Sequence, residues 1–222
     1  MNFSGLLRQT WAGTKVLIVL TVLTGLLYPL AVWAVSRVPG LEAKAEGSIV
    51  TVGGQPVGSS LIGINPVDPN AKNDPTNDRY FHTRPSAEAT DYSSGDGLGL
   101  ADNDGTVSGA SNLSQDSRSL AAVISQRKAF IAKRDGVNPD QVPVDAVTAS
   151  ASGLDPAISP AYAYLQAARV ARVNHLTEQQ VDQIIAANTV GRPLGVLGNP
   201  TVNVQALNIA VQQTAQAAGH TG

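Results

Sequence analysis

The stretch YFHTRPSA, residues 80–87, gathers two aromatics, a histidine, an arginine and a proline within eight positions. Side chains of these types work as acids and bases, as anion clamps and as interface anchors. No nucleophile is paired with a base around His82, so nucleophilic catalysis has no foothold there. Arg84 precedes Pro85 and is held extended; an arginine so placed binds an anion, or pins its loop to a carboxylate or a backbone carbonyl. Tyr80, Phe81, His82 and Arg84 therefore read as a docking or folding element. Asp155, before Pro156 in SGLDP, reads as a turn residue that hydrogen-bonds its own loop.

Other patterns are weaker. SQRK at 125–128 fits the S-x-x-K of serine acyl-enzymes through Ser125 and Lys128, but the partner K-T-G is missing. The acidic run DGLGLADNDG (96–105) lacks the spacing and distal glutamate of an EF-hand calcium loop. His82, His175 and His220 have no metal-ligand spacing. No G-x-x-x-x-G-K-[ST] loop and no DKTGT-type phosphorylatable aspartate occurs, so any link to ATP hydrolysis is that of an accessory. The chain has no cysteine, which excludes disulfides, thiol catalysis and Cys-ligated metals.

The elements that must position these residues begin with an apolar run. Residues 16–35, VLIVLTVLTGLLYPLAVWAV, hold twenty positions without a charge, roughly 30 Å of helix and the thickness of a bilayer core. The run is longer than a signal peptide's apolar region and carries no A-x-A cleavage spacing. It predicts a retained transmembrane helix over 14–37 after a short tail, 1–13. Thr21, Thr24 and Gly25 form a small-residue strip on it, suited to close approach of another membrane helix. Lysine and arginine counts tie on the two sides, and the free amino terminus tips the N-terminus toward the cytoplasm. Of fifteen Lys and Arg, Arg8, Lys15 and Arg37 precede residue 38; the twelve that follow face all seventeen Asp and Glu, a net charge of −5. Such a domain has no basic field for nucleic acid.

Residues 38–222 read as one α+β domain. Strands are expected at 48–52 and 56–64, around the turn GGQ. A long polar loop follows, about 65–109, with YFHTRPSA inside it. Ser114 or Ser117 caps a helix whose inward face is Leu120, Val123, Ile124, Phe130 and Ile131, ending at Gly136. VPVDAVTA (142–149) is expected as a strand. Ser159 and Pro160 start a second helix, TEQQ (177–180) makes a capping box for a third with Val181, Ile184 and Ile185 inward, and a last helix follows 201–203.

Five blocks occur in the order and spacing of one family: GSSLIG (58–63), YFHTRPSA (80–87), SGASNL (108–113), VTASASGLDPAISP (147–160) and NVQALNIAV (203–211). With the single N-terminal span, they resemble the C subunits of the Kdp potassium-transporting P-type ATPases over nearly the whole chain. Ile64 stands where that family often has glutamine, and Ala110 where a second glycine is common.

The resemblance implies a non-catalytic subunit of a bacterial inner-membrane complex. Its helix would pack against a potassium-channel-like subunit, and its domain would lie outside the cytoplasm. Membrane lipid and an ATP-hydrolysing P-type subunit would be the other partners. It also implies a catalytic chaperone that raises the hydrolysing subunit's ATP affinity and stabilises the complex, with ATP as a transient ligand and no covalently bound cofactor. SGASNLSQ resembles the LSGGQ signature of transport ATPases, where backbone N–H groups meet a phosphate at a helix N-terminus. Ser108, Gly109, Ser111 and Gln115 would make that contact. Other roles are an adaptor without nucleotide, a domain whose acids draw cations to a channel mouth, and, remotely, a membrane-anchored acyl-enzyme.

Overall fold

The computed structural model describes residues 3–71, 73–90 and 97–219. It comprises two compact units, Met1–Val57 and Gly58–Gly222. The expectations at Asp96 and His220 lie outside the described residues.

The first unit is dominated by helix α1, Phe3–Ser36, long and apolar enough to cross a membrane. It starts at Phe3 and takes in most of the expected tail. Leu23–Leu27 form a π-helical turn, in which the Tyr28 N–H donates to the Leu23 carbonyl. Pro29 lacks an N–H, and its ring would clash with the carbonyl four residues back; the widened turn accommodates both demands. A short helix α2, Glu42–Ala45, follows. Arg37 pairs there with Glu46 at 2.6 Å and Glu42 at 3.5 Å. The strands β1, Ile49–Val52, and β2, Gln55–Ser59, make a two-stranded sheet. β2 ends five residues before the expected strand does, because the chain turns at Ser60.

In the second unit, helices and a small sheet share one core. Helix α3, Arg118–Asp135, is capped by Ser117, whose hydroxyl accepts from the Leu120 N–H, and ends at Gly136 in the left-handed region (φ 69°). Ile131 is buried and Ile124 and Phe130 partly so, as expected of that face, but Arg127 and Arg134 take other inward positions. The strand expected at 142–149 is instead a short helix, α4, Val144–Val147. The alternation of VPVDAV misleads: Val142, Ala146 and Val147 are buried while Val144 is exposed, a helical spacing. Asp145 then faces the next cap, accepting from the Ser159 N–H at 2.7 Å and hydroxyl at 2.9 Å.

β3, Ala157–Ile158, leads into α5, Pro160–Val173, with Ser159 as its cap. Helix α6, Glu178–Asn188, opens with the expected capping box: Thr177 accepts from the Gln180 N–H, and Gln180 Oε1 from the Thr177 N–H at 2.8 Å. β4, Thr189–Val190, and β5, Thr201–Asn203, join β3 in an antiparallel sheet of order β3-β5-β4. The register pairs Ile158 and Thr189 with Val202. Helix α7, Val204–Gly219, closes the unit. Ile131, Ile158, Tyr162, Val170, Val181, Ile185, Val202 and Leu207 are buried together in its core.

Candidate functional site

The loop that holds YFHTRPSA is ordered by side chains rather than by strand ladders. Phe81 and His82 lie against α5 and α7, and the backbone of each meets a side-chain amide. The Phe81 N–H donates to Asn208 Oδ1 at 2.7 Å, and Asn208 Nδ2 donates back to the Phe81 carbonyl at 3.0 Å. Gln166 does the same for His82, at 2.8 and 3.3 Å. Both amides imitate the paired bonds of a neighbouring strand, so a buried backbone stays satisfied without one. Phe81 is fully buried, and His82, Thr83, Pro85 and Ser86 are buried with it. Tyr80 is half-buried.

Arg84 meets partners of both kinds. Its Nη1 donates to Asp155 Oδ2 at 3.1 Å, and its other nitrogens lie 3.4 Å from the Thr148 and Ala149 carbonyls. Asp155 also accepts from the Ala157 N–H at 3.0 Å, which holds the turn before β3.

Beneath the loop lies a buried charge cluster. Asp135, at the end of α3, accepts from Arg134 at 2.9 and 3.1 Å and from Arg169 of α5 at 2.6 Å. Burial pushes its carboxyl up, but the two guanidiniums hold it below the usual range. Arg134 also donates to the Tyr162 hydroxyl at 3.0 Å. Arg169 reaches the loop itself, donating to the carbonyls of Asp78 and Tyr80. Arg127, also buried, donates to the carbonyls of Leu98 at 2.5 Å and Val147 at 2.9 Å. Two of these buried arginines, Arg127 and Arg169, thus fasten loop backbone, while Arg134 and Arg169 pair with the buried Asp135. Removing one partner of such a buried pair costs about 3–5 kcal/mol, because the other charge is left uncompensated.

His82 completes the cluster. Asn65 Nδ2 donates to the carbonyls of Leu100 and Ala101, which fixes the amide so that Oδ1 is the acceptor. Oδ1 accepts from the Thr83 N–H and faces His82 Nδ1 at 2.9 Å, so Nδ1 carries the ring proton. Nε2 is buried without a hydrogen bond, 3.5 Å from Asp78 Oδ2. Burial, then the Arg134 charge, pushes the ring down to about 4 against the pull of Asp78. For Asp78 burial acts upward, but His82, the Tyr80 N–H and Arg169 bring its carboxyl to about 2. His82, Asp78, Arg134, Leu98, Leu100 and Phe130 border a cavity of about 300 Å³.

The SGAS loop is stitched to the SASG loop. The Gly109 N–H and the Ser108 hydroxyl both donate to the Ser152 carbonyl at 2.9 Å. The Glu88 carboxylate packs on Gly109 so closely that a Cβ there would lie 1.9 Å from Oε1. Ser111 is half-buried and Gln115 exposed, and both precede the α3 cap at Ser117. An N–H already spent and an adjacent carboxylate make residues 108–109 a poor cradle for phosphate. In the acidic run, Asp102 accepts from the distant Val67 N–H and Asp104 from the Thr106 N–H of its own turn, so both carboxylates serve the backbone. Among the described residues no three His, Asp or Glu side chains converge as metal ligands. Ser125 is exposed on α3, and Lys128 is half-buried. On α1, Thr24 donates to the Leu20 carbonyl at 2.7 Å, and Thr21, Thr24 and Gly25 are all exposed.

The arrangement thus fastens the loop to the helices and holds no reaction centre among these residues. Sequence reasoning picked out Arg84 and Asp155 but passed over Asn65, Asp78, Arg134, Asp135, Gln166, Arg169 and Asn208. One signal was available: Gln166 and Arg169 stand among Tyr162, Ala163, Ala167 and Val170 on the apolar face of α5, where a polar residue needs a partner.

The family model described as the K+-transporting ATPase, c chain, matches residues 10–213. A "Potassium-transporting ATPase KdpC subunit" of Kineococcus radiotolerans is 45% identical over 215 residues, covering 97% of this chain and 98% of that protein. Proteins of the same name from Bradyrhizobium diazoefficiens and Streptomyces avermitilis are each 42% identical. They cover 95% and 93% of this chain, and 99% and 94% of their own lengths.

Proposed function

The chain belongs to the family of K+-transporting ATPase c chains, and from that premise we propose that it is the accessory subunit that stabilises the assembled transporter. Helix α1 anchors it in the bacterial inner membrane, with the N-terminus cytoplasmic and the domain outside. The exposed strip of Thr21, Thr24 and Gly25 packs against a potassium-channel-like subunit. The carrying observation is α1 itself: thirty-four residues, apolar enough to span a bilayer and with none of them buried within the chain. The fastening of residues 78–82 to α5 and α7 supports the same reading, since a docking domain needs a preorganised surface more than a moving one.

Raising the ATP affinity of the hydrolysing subunit follows as an effect of assembly, transmitted through subunit contacts. The spent Gly109 N–H favours this over direct nucleotide binding. The test is ATPase activity of the purified complex against ATP concentration. Omitting this chain should raise the KM for ATP and speed dissociation of the remaining subunits. Gln115→Ala and Ser111→Ala should leave the KM within twofold of the unmodified complex. A several-fold rise in KM with assembly intact would restore direct nucleotide contact.

A further inference from the structure

Helix α1 carries an acceptor that its own backbone leaves unmet. In a regular α-helix the Thr24 carbonyl would take the Tyr28 N–H, four residues on. The π-helical turn at Leu23–Leu27 sends that N–H to the Leu23 carbonyl instead. The donor five residues on, which π spacing would offer, belongs to Pro29, and proline has no N–H. The widened turn thus admits the proline ring and passes the missing bond to Thr24.

The side chains of α1 do not repair it. The Thr24 hydroxyl is turned back to the Leu20 carbonyl at 2.7 Å. Thr10 and Thr14 make the same return, to the carbonyls of Leu6 and Thr10. Among the described residues the Thr21 hydroxyl makes none, and it lies on the same face, three positions before Thr24. Gly25 adds no side chain beside the carbonyl, and a Cβ there would meet no atom within 4 Å.

Depth makes the unmet acceptor selective. Thr24 is the ninth of the twenty uncharged positions 16–35, roughly 2 Å along the axis from the middle of the run. Lipid tails have no donor and the bilayer core has no water to offer, so a freed backbone group at that depth is satisfied by protein. A charged donor is costly there, which leaves a neutral hydroxyl or amide. Resting on the accessory-subunit reading above, we propose that the Thr24 carbonyl accepts a hydrogen bond from a serine, threonine, asparagine or glutamine side chain on a membrane helix of the channel-like subunit. That helix packs closely over Gly25, and its polar side chain supplies the bond that Pro29 withholds. Pro29 is then a recognition residue, because it keeps open an acceptor that a regular helix would close.

The full-length chain is co-expressed with the other subunits, which are purified in detergent through a tag on one of them. Co-purification of the unmodified chain tests the accessory-subunit reading, and its failure overturns both ideas. Pro29→Ala returns an N–H to the helix and should lower retention several-fold. Gly25→Leu, which blocks close approach, should lower it at least tenfold. Val22→Phe, on the opposite face of the helix, should be retained like the unmodified chain. Full retention of Pro29→Ala, or equal losses in Gly25→Leu and Val22→Phe, would overturn the acceptor and leave the accessory role intact. The bond itself is read by infrared spectroscopy on a chain with heavy carbon and oxygen isotopes at the Thr24 carbonyl. Such a chain is made by joining a synthetic segment 1–42 to the remainder at Ala43→Cys, then desulfurising that cysteine back to alanine. The labelled amide I band should move to lower wavenumber when the chain passes from phosphatidylcholine vesicles, alone, into the complex. An unmoved band would overturn the proposal. So would a band already low in the vesicles, which would give the acceptor to water or to a second copy of this chain.

Discussion

At the scale of single residues, His82 shows most directly how the fold biases chemistry. The folded state keeps the ring neutral, with its proton on Nδ1 and Asn65 as acceptor. Asp78, Arg134 and Arg169 face it from the loop, α3 and α5. The unfolded ring takes up a second proton near pH 6.5, the folded one only near 4. A depressed histidine contributes stability that is complete above 6.5 and drains away as pH falls toward 4. The loss reaches about 3 kcal/mol, at 1.36 kcal/mol per unit. Asp78 adds its own loss lower, between 3.8 and about 2. Urea midpoints by far-ultraviolet circular dichroism at pH 7 and 4.5 should differ by less in His82→Asn than in the unmodified chain. Tryptophan emission would not serve, because Trp11 and Trp33 both lie in α1. The sequence carried the Arg84–Asp155 contact partway, since a proline-restricted arginine and a turn aspartate each want a partner. It hid the cluster around Asp135, whose members Asp78, Asp135 and Arg169 come together only when α3, α5 and the loop pack.

Among the elements, those with local causes were legible. The Ser117, Ser159 and Thr177 caps and the Gly136 stop depend on neighbours within four residues, and the helices they bound form as read. Two errors arose where a distant contact decides. VPVDAV alternates like a strand, yet Asp145 is recruited by Ser159 fourteen positions on. The strand expected to reach Ile64 stops at Ser59, because residues beyond it pack on the SGLDP turn: the Gly63 N–H donates to the Leu154 carbonyl at 2.8 Å. A Cβ on Gly63 would lie 2.3 Å from the Asp155 carbonyl oxygen, and backbone cannot yield as a flexible side chain would. Gly63→Ala should therefore destabilise the domain by about 1–3 kcal/mol. Gly97→Ala meets no atom within 4 Å but has φ 65°, so it should show only the smaller conformational cost, about 1 kcal/mol. Equal losses in the two variants, by chemical denaturation, would contradict the close-packing argument.

For the whole molecule, the apolar run announced α1, and the helix caps and strand runs announced a mixed domain. What stayed illegible was how residues 78–86 are held, within a tract too polar for a core of its own. Its partners lie in α5 and α7, far along the chain. The absence of cysteine makes sidedness measurable: Val107→Cys and Gln9→Cys, each exposed, report on opposite ends of α1. In intact cells a membrane-impermeant maleimide should label position 107 and spare position 9, and the reverse pattern would put the domain in the cytoplasm. The amide clamp on Phe81 has a consequence in time. Asn208 is made 127 residues after Phe81, and at about 5–20 residues per second the ribosome needs roughly 6–25 s to supply it. Through that interval an unclamped loop and an unburied phenylalanine are open to proteases and chaperones. A chain released early, short of Asn208, keeps them so for good, and quality control can tell a finished subunit from an unfinished one by that exposure.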